Sequence, residues 1–163
     1  MGLRSHYVAT GYIYDSTKSC FLLIKHKKLG QWLAPGGHLT EDEEPHAGAL
    51  REVWEEIGQQ GKISDLLITP EVATATVPQL PAPFCMLAET IPAGPREGEH
   101  IHIDFVYVVE IDPTAKLSLS DEEITNARWF TLDEINQLET YENVKRVCWA
   151  ISNSSRQSRL NTL

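Results

Sequence analysis

No apolar run in this 163-residue chain approaches the roughly 18 residues that span a bilayer, so no membrane-crossing segment is expected. The opening residues, MGLRSHYVAT, lack the apolar stretch of a signal peptide, and His6 stands where a myristoylation pattern wants Ser or Thr. Cysteine is scarce: Cys20, Cys85 and Cys148 are odd in number, widely spaced and without a CxxC pair. They read as buried reduced thiols, and a cytoplasmic location is the expectation. Positive charge is also in deficit. A formal net charge of −9 argues against the basic stripe of a nucleic-acid-binding surface and makes long RNA a poor substrate. It leaves an anionic small molecule open, provided cations mediate the contact. Internal repeats and low-complexity blocks are missing as well.

What remains is ordinary for one globular domain: 42% hydrophobic and 23% charged residues in a chain long enough to bury a core. HYVATGYIYD and SCFLLIKHKK read as two strands joined by a polar turn at DSTK. LGQWLAPGGHL, punctuated by Gly30, Pro35, Gly36 and Gly37, predicts a loop with a short strand and a tight turn. TEDEE followed by Pro45 suits a helix start, and Gly58 a helix stop. Further on, FCMLAETI and HIHIDFVYVVEI predict strands, separated by the turn-rich PAGPREGE and preceded by the proline-rich loop PQLPAP. ARWFTLDEINQL predicts a strand turning into a helix with Thr131 as N-cap and Glu134 as its box partner. YENVKRVCWAIS predicts a terminal helix, and residues 152–163 a frayed polar tail. Strands and helices mixed in this order suggest a single α/β (α+β) domain spanning 1–163, with a mixed sheet and flanking helices.

The stretch GGHLTEDEEPHAGALREVWEEIG crowds carboxylates around one arginine. On a helical wheel Glu52, Glu55 and Glu56 share a face, while Ala47, Leu50, Trp54 and Ile57 form the opposite stripe, the one expected to face the core. Like charges at this spacing repel by a few tenths of a kcal/mol, roughly, unless something positive sits among them. A solvated acidic face is one reading. An all-oxygen site for a hard cation, Mg²⁺ or Mn²⁺, is the other.

The same stretch resembles the Nudix box, G-x5-E-x7-R-E-U-x-E-E-x-G-U with U bulky and aliphatic. Gly37, Glu43, Arg51, Glu52, Val53, Glu55, Glu56 and Gly58 fall in register, and only Gln59 departs, at the last position. The resemblance implies a Nudix-like α/β/α sandwich with a mixed β-sheet between helices. It also implies a metal-dependent pyrophosphohydrolase that cleaves a nucleoside diphosphate linked to another group, or a nucleoside triphosphate, by water attack at phosphorus. By the same resemblance Glu52, Glu55 and Glu56 are metal ligands for Mg²⁺ or Mn²⁺, completed by the Gly37 carbonyl. Arg51 and Glu43 are expected to form a supporting ion pair. The general base is a glutamate of the box, or one from a loop outside it such as Glu97 or Glu99.

Other residues stay open. His100, His102 and Asp104 alternate onto one strand face, and H-x-H-x-D can form part of a zinc site. The metallo-β-lactamase pattern wants a further histidine where Phe105 stands, so these groups are expected to line the substrate cleft or to be satisfied at a strand edge. Lys25, Lys27 and Lys28 are equally consistent with phosphate contact and with solvation. Trp32, Phe84, Phe105 and Tyr107 are candidates for stacking on a base or for the core. Two rival classes remain: a catalytically silent Nudix-fold nucleotide sensor, and an isoprenoid-diphosphate isomerase that would need Cys85 in its cleft. A small nucleotide-type diphosphate is the expected partner, and a homodimer is plausible.

Overall fold

The computed structural model describes residues 2–66, 69–95 and 97–160. Leu67 and Ile68 of the segment after the first helix, and Arg96 of PAGPREGE, lie outside the described residues, as do 161–163. The DSTK turn forms because the Asp15 carboxylate gathers three local donors: Thr17 N at 2.9 Å, Thr17 Oγ1 at 2.6 Å and Lys18 N at 3.2 Å. Around it β1 (Arg4–Asp15) and β2 (Cys20–His26) pair antiparallel. Two short strands follow, β3 (Trp32–Leu33) and β4 (Gly36–His38), one more than the single short strand expected of the glycine-punctuated loop.

Helix α1 (Pro45–Ile57) starts with Pro45 in its first turn and stops where Gly58 takes the left-handed conformation, φ 69°, with its N–H donating to Trp54 O at 2.8 Å. The acidic residues of TEDEE precede the helix, and none lies in its first turn. After β5 (Lys62–Ile63) come β6 (Cys85–Ile91), β7 (His100–Glu110) and β8 (Ile124–Thr131). The chain then turns into α2 (Leu132–Gln137), opened by the expected box: Thr131 Oγ1 accepts from Glu134 N, and the Glu134 side chain accepts from Thr131 N at 2.8 Å.

The last helix, α3 (Glu142–Leu160), corrects the expectation of a frayed tail from residue 152. The helix continues because Ser152 and Ser155, polar but small, are buried beside Ile151. Polarity alone mistook a packed helical face for a loose end.

Among the described residues all eight strands join one mixed sheet. Its main path runs β3-β2-β1-β7-β5, with β4 on β1, β6 on β7 and β8 on β2. The β1–β7 pairing is parallel, and every other pairing is antiparallel. Strand residues alternate between two cores. Tyr12, Tyr14, Phe21, Leu23, Val106 and Val108 face α2 and α3, packing on Ile135, Val144, Val147, Cys148 and Ile151. Ala9, Ile13, Leu22, Ile24, Tyr107 and Val109 face α1, packing on Ala49, Val53 and Ile57. The α/β/α layering is therefore present. Cys20 and Cys148 are buried, Cys85 is half-buried, and all three are free thiols. Among the described residues no helix is long and apolar enough to cross a membrane.

The helix wheel needs correction. Trp54 is 56% exposed, whereas Glu52 and Glu56 are buried beside Val53 and Ile57. The reason is close approach: a Cβ on Gly11 of β1 would lie 2.8 Å from Val53 Cγ2 and 3.3 Å from Ala49 O. The helix seats on the sheet through Ala49 and Val53, and a Trp would hold it off. Gly11→Ala is expected to cost about 1 to 3 kcal/mol by overpacking this contact. A lower urea midpoint at unchanged m-value is the measurement that checks it.

Candidate active site

The site is built where β4 meets α1. Pairing of Ala9 with Gly37 and Thr10 with Gly36 presses the glycine turn against β1. From the other side α1 brings Glu52 and Glu56, one turn apart. A Cβ on Gly37 would stand 2.4 Å from Glu52 Oε1, so only glycine admits that carboxylate so close to the backbone.

Burial pushes the Glu56 carboxyl up to about 8, helped by the charges of Glu52 and Glu123 and opposed by the Gly36 N–H that it accepts. Glu52 is raised for the same first reason, burial, and is held back by Arg51. Glu56 Oε2 is buried without a hydrogen-bond partner among the described residues. Two carboxylates pressed together with an orphaned oxygen are what a divalent cation would relieve, and an all-oxygen donor set suits a hard ion. The residues fit Mg²⁺ or Mn²⁺.

Arg51 organises this cluster. Its Nε donates to Glu43 Oε1 at 2.8 Å and its Nη2 to Glu43 Oε2 at 2.9 Å, a two-pronged pair. Nη1 donates to Glu52 Oε1 at 2.7 Å and Glu55 Oε2 at 2.9 Å, while Nη2 also reaches the His38 carbonyl at 3.0 Å. Arg51 holds the Glu43 carboxyl down at about 2. Glu43 in turn accepts from Thr40 N at 3.0 Å, so the loop ahead of the helix is tied to the helix. Glu55 is exposed, unlike its two neighbours.

Other candidates lie elsewhere. Glu97 contacts His6 Nε2 at 3.1 Å and His100 Nε2 at 3.9 Å, and Glu99 is exposed. Asp104 is buried, accepts from Thr10 Oγ1 at 3.0 Å, and is pushed by burial up to about 7. His102 is pushed down to about 4, mainly by burial and then by the neighbouring imidazoles. Lys27 Nζ donates to Asp121 O at 2.6 Å, Lys25 sits 5.8 Å from the Trp32 ring, and Lys28 is exposed. Trp32 packs on Phe130 and Tyr107 is buried, so both serve the core, as does the half-buried Phe84. Phe105 instead lines an open cleft of about 530 Å³ with Arg4, Tyr7, His38 and Glu43.

Sequence reasoning missed three residues. Glu123, in the turn before β8, is close enough for its charge to raise both Glu52 and Glu56. Its only signal was acidity in SDEEIT. His6 and His38 join His100 and His102, with His6 Nδ1 3.3 Å from His38 Nε2. Their signal was parity: His6 falls on the same face of β1 as Thr10.

A family model described as NUDIX domain matches residues 4–148. The chain belongs to the Nudix family. Over 37 residues this Nudix chain is 51% identical to diphosphoinositol polyphosphate phosphohydrolase 2 of Homo sapiens and of Mus musculus, covering 23% of this chain and 21% of theirs. The match therefore spans about a fifth of those relatives' length. A Nudix-family hydrolase from Clostridium perfringens superposes with a TM-score of 0.70 at 22% identity, covering 93% of this chain and 97% of that one. A C. elegans Ap4A hydrolase superposes at 0.63 with 16% identity, covering 97% and 99%. Those two structures share the Nudix fold with this chain.

The Arg51–Glu43 pair predicts a defined acid response. The folded Glu43 value lies below the ordinary carboxylate value of about 4.3. Its stabilisation is therefore complete above about pH 4.3 and is lost as pH falls toward 2. Glu43→Gln is expected to cost about 2 kcal/mol at pH 7, and its stability curve should converge on that of the unaltered chain only as pH falls through about 2. Denaturant titrations across that range test the convergence.

Proposed function

We propose that this chain is a metal-dependent Nudix pyrophosphohydrolase, a single domain that cleaves a phosphoanhydride in a small nucleotide-type diphosphate. The carrying observation is the buried Glu52–Glu56 pair with its orphaned Oε2, set against the Gly36–Gly37 turn. Family membership supports the reaction class, and the relatives' names, which include a diphosphoinositol polyphosphate phosphohydrolase and an Ap4A hydrolase, share the phosphoanhydride.

Glu52, Glu55, Glu56 and the Gly37 carbonyl would hold Mg²⁺ or Mn²⁺. Bound there, the ion would offset repulsion between a chain of net charge −9 and its polyanionic substrate, polarise phosphorus and lower the pKa of the attacking water. The chain's own residues do the positioning. Arg51 fixes the Glu52 and Glu55 carboxylates and ties them to the Glu43 loop. The nearby Gly36 N–H eases the Glu56 carboxyl down, while its Oε2 is left without a partner among the described residues. Glu55 is the exposed member of the three, and the base that takes the proton from water is a glutamate of the box or one of the loop, Glu97 or Glu99. Three free cysteines suit a reducing, cytoplasmic setting.

The test is turnover on a panel of ADP-ribose, nucleotide sugars, dinucleoside polyphosphates, diphosphoinositol polyphosphates and nucleoside triphosphates, each with Mg²⁺, Mn²⁺ or a chelator. Hydrolysis is expected only with metal, and Glu56→Gln should lower kcat/KM about a hundredfold or more. Tight binding without turnover across the panel would show a nucleotide sensor instead, and an equally active Glu56→Gln would remove Glu56 from the site.

A further inference from the structure

We propose that His6, His100 and His102, with Glu97, form a second metal site that takes a zinc-type divalent ion, apart from the carboxylate turn. The sheet itself builds it. Parallel pairing sets His6 directly opposite His102, and His100 lies two residues earlier on the same face of β7. One nitrogen from each of the three rings lies within 4.8 Å of the others, and His100 Nε2 and His102 Nε2 are 3.1 Å apart. Tetrahedral zinc with bonds of about 2.0–2.1 Å holds its nitrogens roughly 3.3 Å apart, so one pair is already at ligand spacing. The His6 ring stacks on His100, with centroids 4.7 Å apart and 27° between the planes, so it must turn to aim a nitrogen at the same ion.

Hydrogen bonding orients the donors. The Gly98 carbonyl can only accept, so His100 Nδ1, 2.8 Å away, carries the proton. That tautomer leaves the Nε2 lone pair directed at the cluster, the arrangement by which a backbone carbonyl orients a metal-binding imidazole. His6 Nε2 is buried and has no hydrogen-bond partner among the described residues. It faces Glu97 Oε1 at 3.1 Å without hydrogen-bond alignment, and Glu97 Oε2 lies 3.9 Å from His100 Nε2. The fourth donor is thus a carboxylate on the loop before β7. His38, 3.3 Å from the far nitrogen of His6, braces that ring from outside.

Donor chemistry separates the two sites. Three imidazoles and one carboxylate suit zinc, whereas the oxygens of α1 suit a hard ion. Ligation would also fasten the loop carrying Glu97 to the first strand.

The experiment uses the full, untagged chain, stripped by chelator and held in excess Mg²⁺ to occupy the carboxylate oxygens. One equivalent of Zn²⁺ should survive gel filtration, measured by elemental analysis. His6→Ala and His102→Ala should each weaken zinc binding by about a hundredfold or more, beyond the effect of losing an outer-shell partner, whereas Glu56→Gln should retain it. Circular dichroism confirms that the variants fold. Co²⁺ in the unaltered chain supplies a variant-free reading: a strong visible band marks tetrahedral nitrogen ligation, and a weak octahedral spectrum contradicts it. No retained zinc, or zinc kept equally by both histidine variants, would reduce the cluster to hydrogen-bonded imidazoles. Metal content is read without substrate, so this result and the turnover result stand or fall separately.

Discussion

Two carboxylates buried one helical turn apart, Glu52 and Glu56, are the constraint around which this structure is arranged. Burying two acidic groups side by side is costly enough to push Glu56 up to about 8, and the neighbourhood is shaped to accommodate the pair. Gly37 withholds a side chain so that Glu52 fits, Gly36 lends an N–H to Glu56, and Arg51 spans Glu43, Glu52 and Glu55. Even the end of α1 is pinned: Ser120 N donates to Glu56 O at 3.0 Å and Ser118 N to Ile57 O at 2.9 Å. The helix cannot turn its acidic face outward without breaking those bonds. A cation joining the pair, as proposed, would turn the destabilising burial into binding strength.

The charge balance follows from the same arrangement. A chain of net charge −9 repels any polyphosphate at long range. Arg51 does little against that field because its fork is taken up by carboxylates. In the proposed reading, positive charge to meet a substrate would come from ions held at the carboxylates, or from Arg4 at the rim of the open cleft. Either source would let an acidic protein meet the acidic substrate proposed for it.

Local signals in the sequence were legible wherever one short segment carried them. The box residues, the Asp15 turn, the Thr131–Glu134 cap and the alternation of His100, His102 and Asp104 each depend on neighbours within a few positions. What stayed hidden depended on distant partners. Trp54 read as core because it is large and apolar, yet the face of α1 opposite Gly11 admits only small groups and Val53. Ser152 and Ser155 read as tail because they are polar, although their small size lets the helix pack through them. His6 and His38 carried no chemistry until β1, β4 and β7 were known to be neighbours. Glu123 needed the path of the chain back past α1. Sheet order, unlike strand identity, is set by pairings across tens of residues that no local pattern encodes.

The three residues of β4 show how tightly the regions are joined. Gly36 offers its N–H to Glu56, Gly37 clears space for Glu52, and the His38 carbonyl accepts from Arg51 while its ring meets His6. Because side chains alternate, a slip of one residue against β1 would turn the His38 ring to the other face of the sheet. It would also bring a Cβ or a carbonyl to where glycine is required. The register of one short strand thus fixes the carboxylate turn and the imidazole cluster together. A change that loosens β4 must disturb both, whereas a change of any single donor reaches only its own cluster.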